Sequence, residues 1–491
     1  MPQDNIRIAV LSGGTATNEL VSLFKSVSAN ITYILPILDN GGSTSELIRI
    51  TGGPAIGDIR SRLTRLIPEN QEPLRKLLSF RLSSDPREAK TQWNEIVDGT
   101  HLLWANIDPS TREIFRAFFI HVHSDLLKRS KHLFSLHTNK RQFRYELANV
   151  GNLFLTGGRL FIGSLDSAIE LFARLTGIDA DTQVLPCLNT NFTYHITALL
   201  ENGSIITGQS QISHPSESDT KVDIHPPPIH ASHPGTPQEG LTNNSESVFF
   251  LGTNDPAHVN YNDANSIVSD MSDNSSDEES GHVPQYTHPA LKKSQLHFNK
   301  SDHIEPLPSP VERIYYISPY GEEICPTANS RVTNSLASAD VIVYSIGSLM
   351  TSIIPIVILK GVGKAIANDM LQEKEGRKKK RILLLNGMND RETYGMTAAD
   401  FVKAIVNLAT YSLSESRIKS TSNIEEVTNQ IQWNKYITHL FYMKDPKIEV
   451  DQEYLETKKN ISCIEVKREE HQDYYDLNDL EAKLKQISYD N

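Results

Sequence analysis

The sequence lacks the features that identify secreted, zinc-binding and membrane-spanning proteins. It has only three cysteines, Cys187, Cys325 and Cys463, whose odd number and wide spacing support neither a disulfide framework nor a zinc site. No uninterrupted apolar run approaches the roughly 20 residues that a transmembrane helix needs. The polar residues 1–7 lead straight into a strand-like segment and leave no apolar core for a signal peptide. We therefore expect a cytoplasmic protein without a membrane partner.

An excess of basic residues is missing as well. The chain has 48 Lys and Arg against 60 Asp and Glu, which gives a formal net charge of −12. Proteins that bind nucleic acids concentrate Lys and Arg to displace counterions from phosphates, so we expect no nucleic-acid partner. A small phosphorylated ligand stays compatible with an acidic chain, because backbone N–H groups bind phosphate without net positive charge.

Apolar residues are scarce too, at 38 % of a 491-residue chain. Between residues 214 and 309 the composition shifts to His, Pro, Ser, Asn and Asp, which cannot bury enough apolar surface to offset the chain entropy. We therefore predict a disordered acidic insertion at 214–309, with Ser247–Leu251 as a candidate ordered exception. Its serines beside acidic residues are candidate phosphorylation sites, although the composition favours a solvated loop. The insertion is also a candidate binding surface for regulatory partners.

The regions on either side of the insertion have the pattern of an α/β protein. Ile6–Leu11 is a short apolar strand of the buried parallel type, and apolar residues at helical spacing follow from Glu19. A second strand is predicted at Ile31–Leu38. Strand, helix and strand in so few residues form a βαβ unit, which implies a right-handed crossover and a parallel sheet. We predict one α/β domain from residues 1–213 and 310–491, with a helical subdomain at about 70–148.

Several later segments extend this pattern. Asn202-Gly203 separates two alternating runs, which is the strongest local signal for a β-hairpin. Further strands are predicted at Ala339–Tyr344, at Arg381–Leu385 and near Ile464, and a charged helix at Asp476–Ile487. The basic run 377–381 resembles a localisation signal, but a solvated loop is the favoured interpretation because the run directly precedes a strand.

The apolar strands end in loops built from Gly, Ser, Thr and Asn. In open α/β sheets ligands bind outside the carboxyl ends of strands, so several such loops weigh more than one. Gly13, Gly14 and Thr15 follow the first strand and would let the backbone and a helix N-terminus approach a phosphate. The alternative is a tight turn that needs glycine. The loop has neither the GxGxxG spacing nor the P-loop lysine, which disfavours an NAD(P) enzyme and a P-loop NTPase.

Two loops carry carboxylates that are candidates for catalysis and for binding Mg²⁺. Asp39 lies in the loop after the second strand, and Asp58 lies beside a predicted helix start. Such a pair suits a magnesium ion or a base toward a hydroxyl nucleophile, and Arg60 suits a phosphate. The alternative is that both aspartates cap helices. The predicted ligand-binding residues of these loops are Asn40, Gly41, Ser43, Gly57 and Arg60.

Later loops add hydroxyl and amide groups. Gly347, Ser348, Thr351 and Ser352 follow a predicted strand and are typical of an anion-binding nest. The side chains predicted to recognise a base or sugar edge are those of Asn152, Asn189, Asn191 and Asn386. His121 and His123 are weak candidates for a metal site, because their flanks look helical and a helix would splay the two rings.

Taken in order, these motifs resemble the 2-phospho-L-lactate transferase (CofD)-like family, including its bacterial gluconeogenesis-factor (YvcK-like) branch. The resemblance covers about residues 6–66, 149–213 and 311–410. It implies a Rossmann-like fold and, in the transferase branch, transfer of a phospholactyl group from a nucleotide-diphosphate-type donor to a deazaflavin hydroxyl with Mg²⁺. The matching pieces are Gly13-Gly14-Thr15, Asp39-Asn40-Gly41-Gly42-Ser43, Gly57-Asp58-Ile59-Arg60, Gly151-Asn152-Leu153, Ala339-Asp340, Gly347-Ser348-Leu349, Thr351-Ser352-Ile353-Ile354-Pro355 and Glu392-Thr393.

The resemblance also suggests roles for these residues. Asp39 and Asp58 would lie near the acceptor or metal, and the glycine loops with Thr15 and Ser348 would line the phosphate region. In the gluconeogenesis-factor branch the same cleft resembles a nucleotide-sugar sensor. This chain departs from the family pattern at Asn40, where a second Asp is usual, at Ser345-Ile346 and at Ile356.

These departures favour a small-molecule binding protein over a named reaction. We expect a phosphorylated, nucleotide-type ligand, in a protein that acts as a metabolic regulator. The alternative is a Mg²⁺-dependent phospho-group transferase. A homo-oligomer is compatible with the sequence.

Overall fold

The computed structural model describes residues 6–38, 43–132, 142–213, 305–374, 376–413, 431–469 and 472–490. The strands are β1 (Ile8–Leu11), β2 (Ile31–Leu35), β3 (Thr182–Pro186), β4 (His195–Leu200), β5 (Ile205–Thr207), β6 (Val311–Ile317), β7 (Glu323–Ile324), β8 (Val341–Tyr344), β9 (Lys380–Leu384), β10 (His439–Met443) and β11 (Ser462–Val466). The helices are α1 (Val21–Val27), α2 (Ser43–Thr51), α3 (Gly57–Leu66), α4 (Glu72–Ser79), α5 (Pro86–Asp98), α6 (Pro109–His132), α7 (Val150–Ile162), α8 (Leu165–Leu175), α9 (Gln209–Ser213), α10 (Ser330–Ser338), α11 (Ile354–Val357), α12 (Val362–Ile366), α13 (Met370–Lys374), α14 (Ala398–Tyr411), α15 (Gln452–Lys459) and α16 (Leu477–Tyr489).

The main sheet has seven parallel strands in the order β11-β10-β9-β8-β1-β2-β3. Every residue of β1, β2 and β8 is buried, which explains why these strands are continuous apolar runs rather than alternating ones. The predicted Rossmann-like parallel sheet with flanking helices is confirmed. From β1 the next strands, β2 and β3, lie toward one edge of the sheet, and from β8 the next strands, β9, β10 and β11, lie toward the other edge. The strand order therefore reverses between β1 and β8. That reversal creates a crevice at the carboxyl ends of β1 and β8.

A smaller antiparallel sheet, in the order β5-β4-β6-β7, lies beside this frame. The predicted hairpin is confirmed as β4 and β5, and Gly203 has the positive φ of 80° that its turn requires. The Tyr316 hydroxyl on β6 donates to the Pro355 carbonyl at 2.9 Å. The small sheet therefore supports the segment that follows β8.

Helices α4, α5 and α6 fall in the region that was predicted to be helical. His121 and His123 lie on α6, and neither ring is part of a metal site. The His123 Nδ1 accepts from Trp93 Nε1 at 2.9 Å, while the His121 ring packs edge-on against Phe161. Within the described ranges, no group of three or more His, Cys, Asp or Glu side chains is arranged to hold a metal.

The basic run 377–381 corrects one prediction. A solvated loop was expected, but Lys379 and Arg381 are buried. The Lys379 ammonium donates to the Leu336 and Ala337 carbonyls at 3.0 and 2.9 Å, and burial lowers its pKa to about 8. The carbonyls at the end of α10 provide acceptors that the local sequence did not reveal.

The predicted insertion lies outside the described residues from 214 to 304, as does its candidate ordered exception at Ser247–Leu251. The described residues on either side of this segment, Ser213 and Glu305, form hydrogen bonds with Glu392 and Arg391, which are neighbours in the sequence. The Ser213 hydroxyl donates to Glu392 at 2.7 Å, and Arg391 Nη1 donates to the Glu305 carbonyl at 2.9 Å. Among the helices that the structure describes, none has the length and apolar character to cross a membrane.

Asp340 joins β1 to β8 at their amino ends. Its buried carboxylate accepts from the Arg7 backbone N–H at 2.9 Å and from Nε and Nη2 of the same residue at 3.1 and 2.9 Å. Arg377 adds a second cation at 3.3 Å. The two central strands are therefore held in register by a charged contact as well as by their backbone ladder.

Replacing Asp340 with Ala is expected to lower the free energy of unfolding by about 1–3 kcal/mol, because Arg7 loses a charged acceptor. Since the Arg7 side chain is 29 % exposed, water recovers part of that loss. Urea denaturation would measure the difference. The control Glu113→Ala, which removes an exposed ion pair with Arg116, should change the stability by less than about 0.5 kcal/mol. An equal effect of both substitutions would contradict the prediction.

Candidate functional site

The candidate site lies where β1 and β8 end. After β1 the chain passes through Ser12 and the two glycines into a short 3₁₀ helix, Ala16–Leu20. A Cβ on Gly14 would lie 2.3 Å from Asp58 Oδ1 and 2.8 Å from Asp58 Cα, and one on Gly13 would lie 2.6 Å from Ser352 Oγ. Neither glycine has a positive φ. Glycine is therefore required by close packing rather than by the turn itself, and this packing brings three predicted segments together.

Asp58 reaches this loop from the first turn of α3. The N-cap of α3 is Ile56, so Asp58 does not have the capping position that was considered as its alternative role. Its carboxylate is half-buried and lies against the glycines, and a Cβ on Gly57 would lie 3.0 Å from Thr44 Oγ1 of α2. The start of α3 therefore approaches the loop after β1, and the start of α2 approaches the start of α3.

Arg62, which the sequence analysis missed, lies beneath the same loop. It is fully buried and donates to the carbonyls of Gly13 and Thr17 at 3.1 and 3.2 Å, with its guanidinium 4.7 Å from the Tyr33 ring centre. Burial lowers its pKa to about 10, and the Tyr33 and Asp58 groups partly oppose this. By binding two carbonyl oxygens, Arg62 removes acceptors that would repel an anion. Its spacing from Asp58, i to i+4 on one helix, is the signal that could have identified it.

The loop after β8 is held to the first loop and to the end of β9. The Thr17 hydroxyl donates to Ser345 Oγ at 2.9 Å and approaches the Ile346 carbonyl at 3.2 Å. Gly347, at a φ of 130°, donates its N–H to Asn386 Oδ1 at 3.1 Å and accepts from Asn386 Nδ2 at 2.7 Å. Asn386 therefore fixes the backbone of Gly347, and its predicted contact with a base or sugar edge stays a prediction.

A buried carboxylate, Glu392, organises the turn that follows. The chain forms one π-helical turn at Leu349–Ile353, and the Ser348 hydroxyl caps it by accepting from the Thr351 N–H at 3.0 Å. Ser348 also donates a short hydrogen bond to Glu392, while Thr351 Oγ1 donates at 2.8 Å and the Met350 N–H at 3.2 Å. Ser213, at the end of α9, adds a fourth donor at 2.7 Å.

Glu392 has an unusual acidity because of this position. Burial raises its pKa to about 7, the nearby charge of Asp390 acts in the same direction, and the hydroxyl bonds oppose both. In the sequence, Glu392-Thr393 is only one of the motifs that carry the family resemblance. Nothing local to the motif indicates that three serine and threonine hydroxyls from distant segments converge on it.

The other predicted residues are placed as follows. Arg60 is half-buried beside Asp58, and burial with repulsion from Arg81 lowers its pKa. Gly151 packs on Arg60, because a Cβ there would lie 2.9 Å from Arg60 Cγ. Asn152 is fully buried in the first turn of α7, Asn189 is exposed after β3, and Asn191 donates to the Gly163 carbonyl at 2.7 Å. Thr15 is exposed on the first loop, Ser43 begins α2, and Asp39, Asn40 and Gly41 lie outside the described residues.

Arg62→Met is expected to reduce the free energy of unfolding by about 2–4 kcal/mol, because the carbonyls of Gly13 and Thr17 lose a buried charged donor. Urea denaturation would measure the loss. Arg65→Met is the matched control, since Arg65 is exposed on the same helix and donates to the Asn18 carbonyl at 3.2 Å. The control should lose less than about 0.5 kcal/mol. Equal losses would show that Arg62 does not anchor the loop.

Glu392 also predicts a pH dependence of stability. Its pKa is raised in the folded state, so between about 4.5 and about 7 the folded state binds more protons than the unfolded state. Stability from this group is therefore present at low pH and lost as the pH rises through that window, by an amount on the order of 3 kcal/mol. Glu392→Gln should lack this loss. Chemical denaturation of both proteins from pH 5 to 8 would contradict the prediction if their difference in stability were constant.

Comparisons with known proteins agree with this architecture. The family model of 2-phospho-L-lactate transferase CofD matches residues 8–468, a range that contains both loops and Glu392. A Saccharomyces cerevisiae protein named "Uncharacterized protein YNL011C" is 41 % identical over 490 residues, which is 99 % of this chain and 100 % of that protein. A Yersinia pestis protein named "Putative gluconeogenesis factor" is 40 % identical over 63 residues, 13 % of this chain and 20 % of its own.

Solved structures show the same fold. The crystal structure of BH3568 from Bacillus halodurans, a protein of the UPF0052 family, superimposes with a TM-score of 0.53. The match covers 99 % of this chain and 100 % of that one, at 15 % sequence identity. At this identity the comparison concerns the fold alone.

Proposed function

The chain belongs to the 2-phospho-L-lactate transferase (CofD) family, and from this membership we propose that it binds a phosphorylated, nucleotide-type ligand in the crevice between β1 and β8. The ligand class is a nucleotide sugar or a nucleotide-diphosphate metabolite. The observation that carries the proposal is the packing of Gly13 and Gly14 against Asp58 and Ser352. Three segments from distant parts of the chain, namely the loop after β1, the start of α3 and the turn after β8, meet where the strand order of the described sheet reverses.

The chemistry of these segments suits an anion. The first loop has two carbonyl oxygens bound from below by Arg62, and the second loop is a turn whose half-buried hydroxyl is that of Ser348. Arg60, beside Asp58, is the guanidinium proposed to bind a phosphate. The phosphates of a ligand with a diphosphate and a polar sugar would bind to the backbone N–H groups and to Arg60. An acidic chain can supply these groups without a basic surface.

Regulation by ligand binding is the role that we favour. The bacterial relatives carry the name "Putative gluconeogenesis factor", and the aligned stretches are short. Asn40 stands where the family usually has a second acid, which removes one charge from the region proposed to bind Mg²⁺. A sensor of a nucleotide sugar needs the crevice and its phosphate contacts, and it does not need that charge.

A Mg²⁺-dependent phospho-group transferase is the alternative, and the position of Asp58 favours it. Its carboxylate lies at the glycine loop, and Mg²⁺ is commonly bound by one or two carboxylates together with substrate phosphates. Asp58 with Asp39 would hold the ion, which would neutralise charge on the phosphates. In this case Asp58 or Asp39 would also act as the base toward an acceptor hydroxyl.

A thermal-shift panel tests ligand binding. UDP-glucose, UDP-N-acetylglucosamine and GDP, each with and without Mg²⁺, are expected to raise the unfolding temperature in a concentration-dependent manner for at least one compound, because a ligand of the folded state stabilises it. At one hundred times Kd the stabilisation is about 2.7 kcal/mol. Arg60→Met should abolish the shift, whereas Arg65→Met, on the exposed face of α3, should keep it. Absence of any shift across the panel would reject the proposal.

Turnover separates the two roles. If the protein is a transferase, Asp58→Asn should lose activity with a phospholactyl nucleotide donor and a deazaflavin acceptor by a factor of about 10² or more, and should still unfold cooperatively. If it is a sensor, the wild-type protein should bind the nucleotide without consuming it. Chromatographic analysis of the nucleotide after incubation would distinguish these results.

A further inference from the structure

Four side chains form what we call the Glu392 cluster: Glu392, Ser213, Ser348 and Thr351. Five oxygen–oxygen contacts join them. Each hydroxyl contacts the carboxylate, and Thr351 Oγ1 lies 2.9 Å from Ser213 Oγ and 2.6 Å from Ser348 Oγ. The members come from α9, from the turn after β8 and from the loop after β9, so only the tertiary fold assembles the cluster.

The five contacts of the Glu392 cluster need more protons than its three hydroxyl groups supply. Each hydroxyl has one proton, and an ionised carboxylate has none, so five contacts would share three protons. All three hydroxyl protons would point to the carboxylate. The Thr351 oxygen would then lie against the two serine oxygens with no proton between them, which is repulsive. A proton on Glu392 is the fourth. It lets the carboxyl donate to Ser348 and lets one hydroxyl donate to another.

The nearby charge of Asp390 raises the pKa of Glu392 and so disfavours an ionised carboxylate. Glu392 and Met350 line a cavity of about 710 Å³ between β6 and α14. Arg313 on β6 is already bound to Glu323 by two hydrogen bonds of 3.0 and 2.8 Å. The titratable groups that share the cavity or the same segment are Glu201, Glu312, Arg313, Asp400 and Lys403, with Asp390 and Arg391 next to Glu392 in the chain.

We propose that Glu392 is a positioning residue of the ligand site, which takes up a proton when a phosphate oxygen binds at Ser348, and this rests on the proposed function above. When Glu392 is ionised, the Ser348 proton is committed to the carboxylate. When Glu392 is protonated, it donates to Ser348 Oγ and releases that hydroxyl proton toward the crevice. Ser348 is half-buried, whereas Thr351 is fully enclosed, so Ser348 is the hydroxyl that can reach a ligand.

The hydrogen-bond capacity of Ser348 fits this role. Its oxygen already accepts from the Thr351 N–H at 3.0 Å. A second bond accepted from the Glu392 carboxyl would use the remaining lone pair, which leaves the Ser348 proton for one donated bond. In the free protein that bond goes to Thr351 Oγ1, 2.6 Å away, and in the complex it goes to the ligand, so that the Ser348–Thr351 contact is given up. The elevated pKa of Glu392, about 7, places the exchange in the neutral range. An anion bound beside Ser348 would raise that pKa further, because like charges disfavour ionisation.

Isothermal titration of the full chain with UDP-glucose tests the proposal, because the diphosphate diester of this probe keeps its charge between pH 6 and 8.5. Titrations in two buffers with different ionisation enthalpies give the number of protons taken up. The wild-type protein should take up about half a proton per site at pH 7 and about one at pH 8. Its Kd should rise above pH 7 by up to about tenfold per pH unit, the limit for one linked proton.

Two variants complete the test. Glu392→Gln supplies a permanent donor, so its Kd should vary less than about twofold over this range and its proton uptake should vanish. Glu312→Gln is the matched control, because Glu312 lines the same cavity and is not a member of the Glu392 cluster. It should retain the wild-type pH profile. Equal flattening of the profile by both variants would assign the linkage to bulk charge and overturn the proposal.

The outcomes distinguish a failure of the proposed role of Glu392 from a failure of the proposed ligand site. Binding by the wild-type protein without proton uptake would overturn the role of Glu392 and leave the proposed ligand site intact, whatever the variants do. Absence of binding by every variant at every pH, with folding verified by circular dichroism, would reject the proposed site for this ligand class and the Glu392 role with it.

Discussion

The arrangement of this protein depends on one close contact, the packing of α3 against the loop that follows β1. Gly14 leaves no room for a side chain beside Asp58, and the buried Arg62 on the same helix face binds the loop from below. Because α3 supplies both groups from adjacent turns, the loop and the helix are held as one rigid unit. The loop after β8 then attaches to that unit through Thr17, and the crevice at the sheet reversal acquires fixed walls.

A second buried charge organises the opposite wall. Glu392 collects donors from two distant segments, and one of these donors, Ser213, is the last described residue before the insertion. The chain returns at Glu305, which is bound by Arg391, the residue next to Glu392. Ser213 and Glu305, the described residues on either side of 214–304, are therefore bound by neighbouring residues of one loop, beside the turn that is proposed to bind phosphate. In both walls a buried charged side chain forms hydrogen bonds with groups from distant parts of the sequence, which lowers the cost of burying it.

Much of the framework could be predicted because it depends on neighbours in the chain. The apolar runs of β1, β2 and β8, the Asn202-Gly203 turn and the helix near the C-terminus are all read from local period and turn chemistry. The basic run at 377–381 was interpreted wrongly for the same reason. Lys379 can be buried because carbonyls at the end of a helix and in other segments accept hydrogen bonds from its ammonium group. The five basic residues by themselves do not indicate that these acceptors are nearby.

The sequence was sufficient for an α/β protein whose small-residue loops end parallel strands, and for the resemblance that places those loops in a known family. It was sufficient because strand periodicity and glycine are local properties. The tertiary structure alone decided which loops meet, that Arg62 supports the glycine loop, and that Glu392 is enclosed by hydroxyls. These facts depend on the order of strands in the sheet, and contacts between residues so far apart along the chain have no local signature.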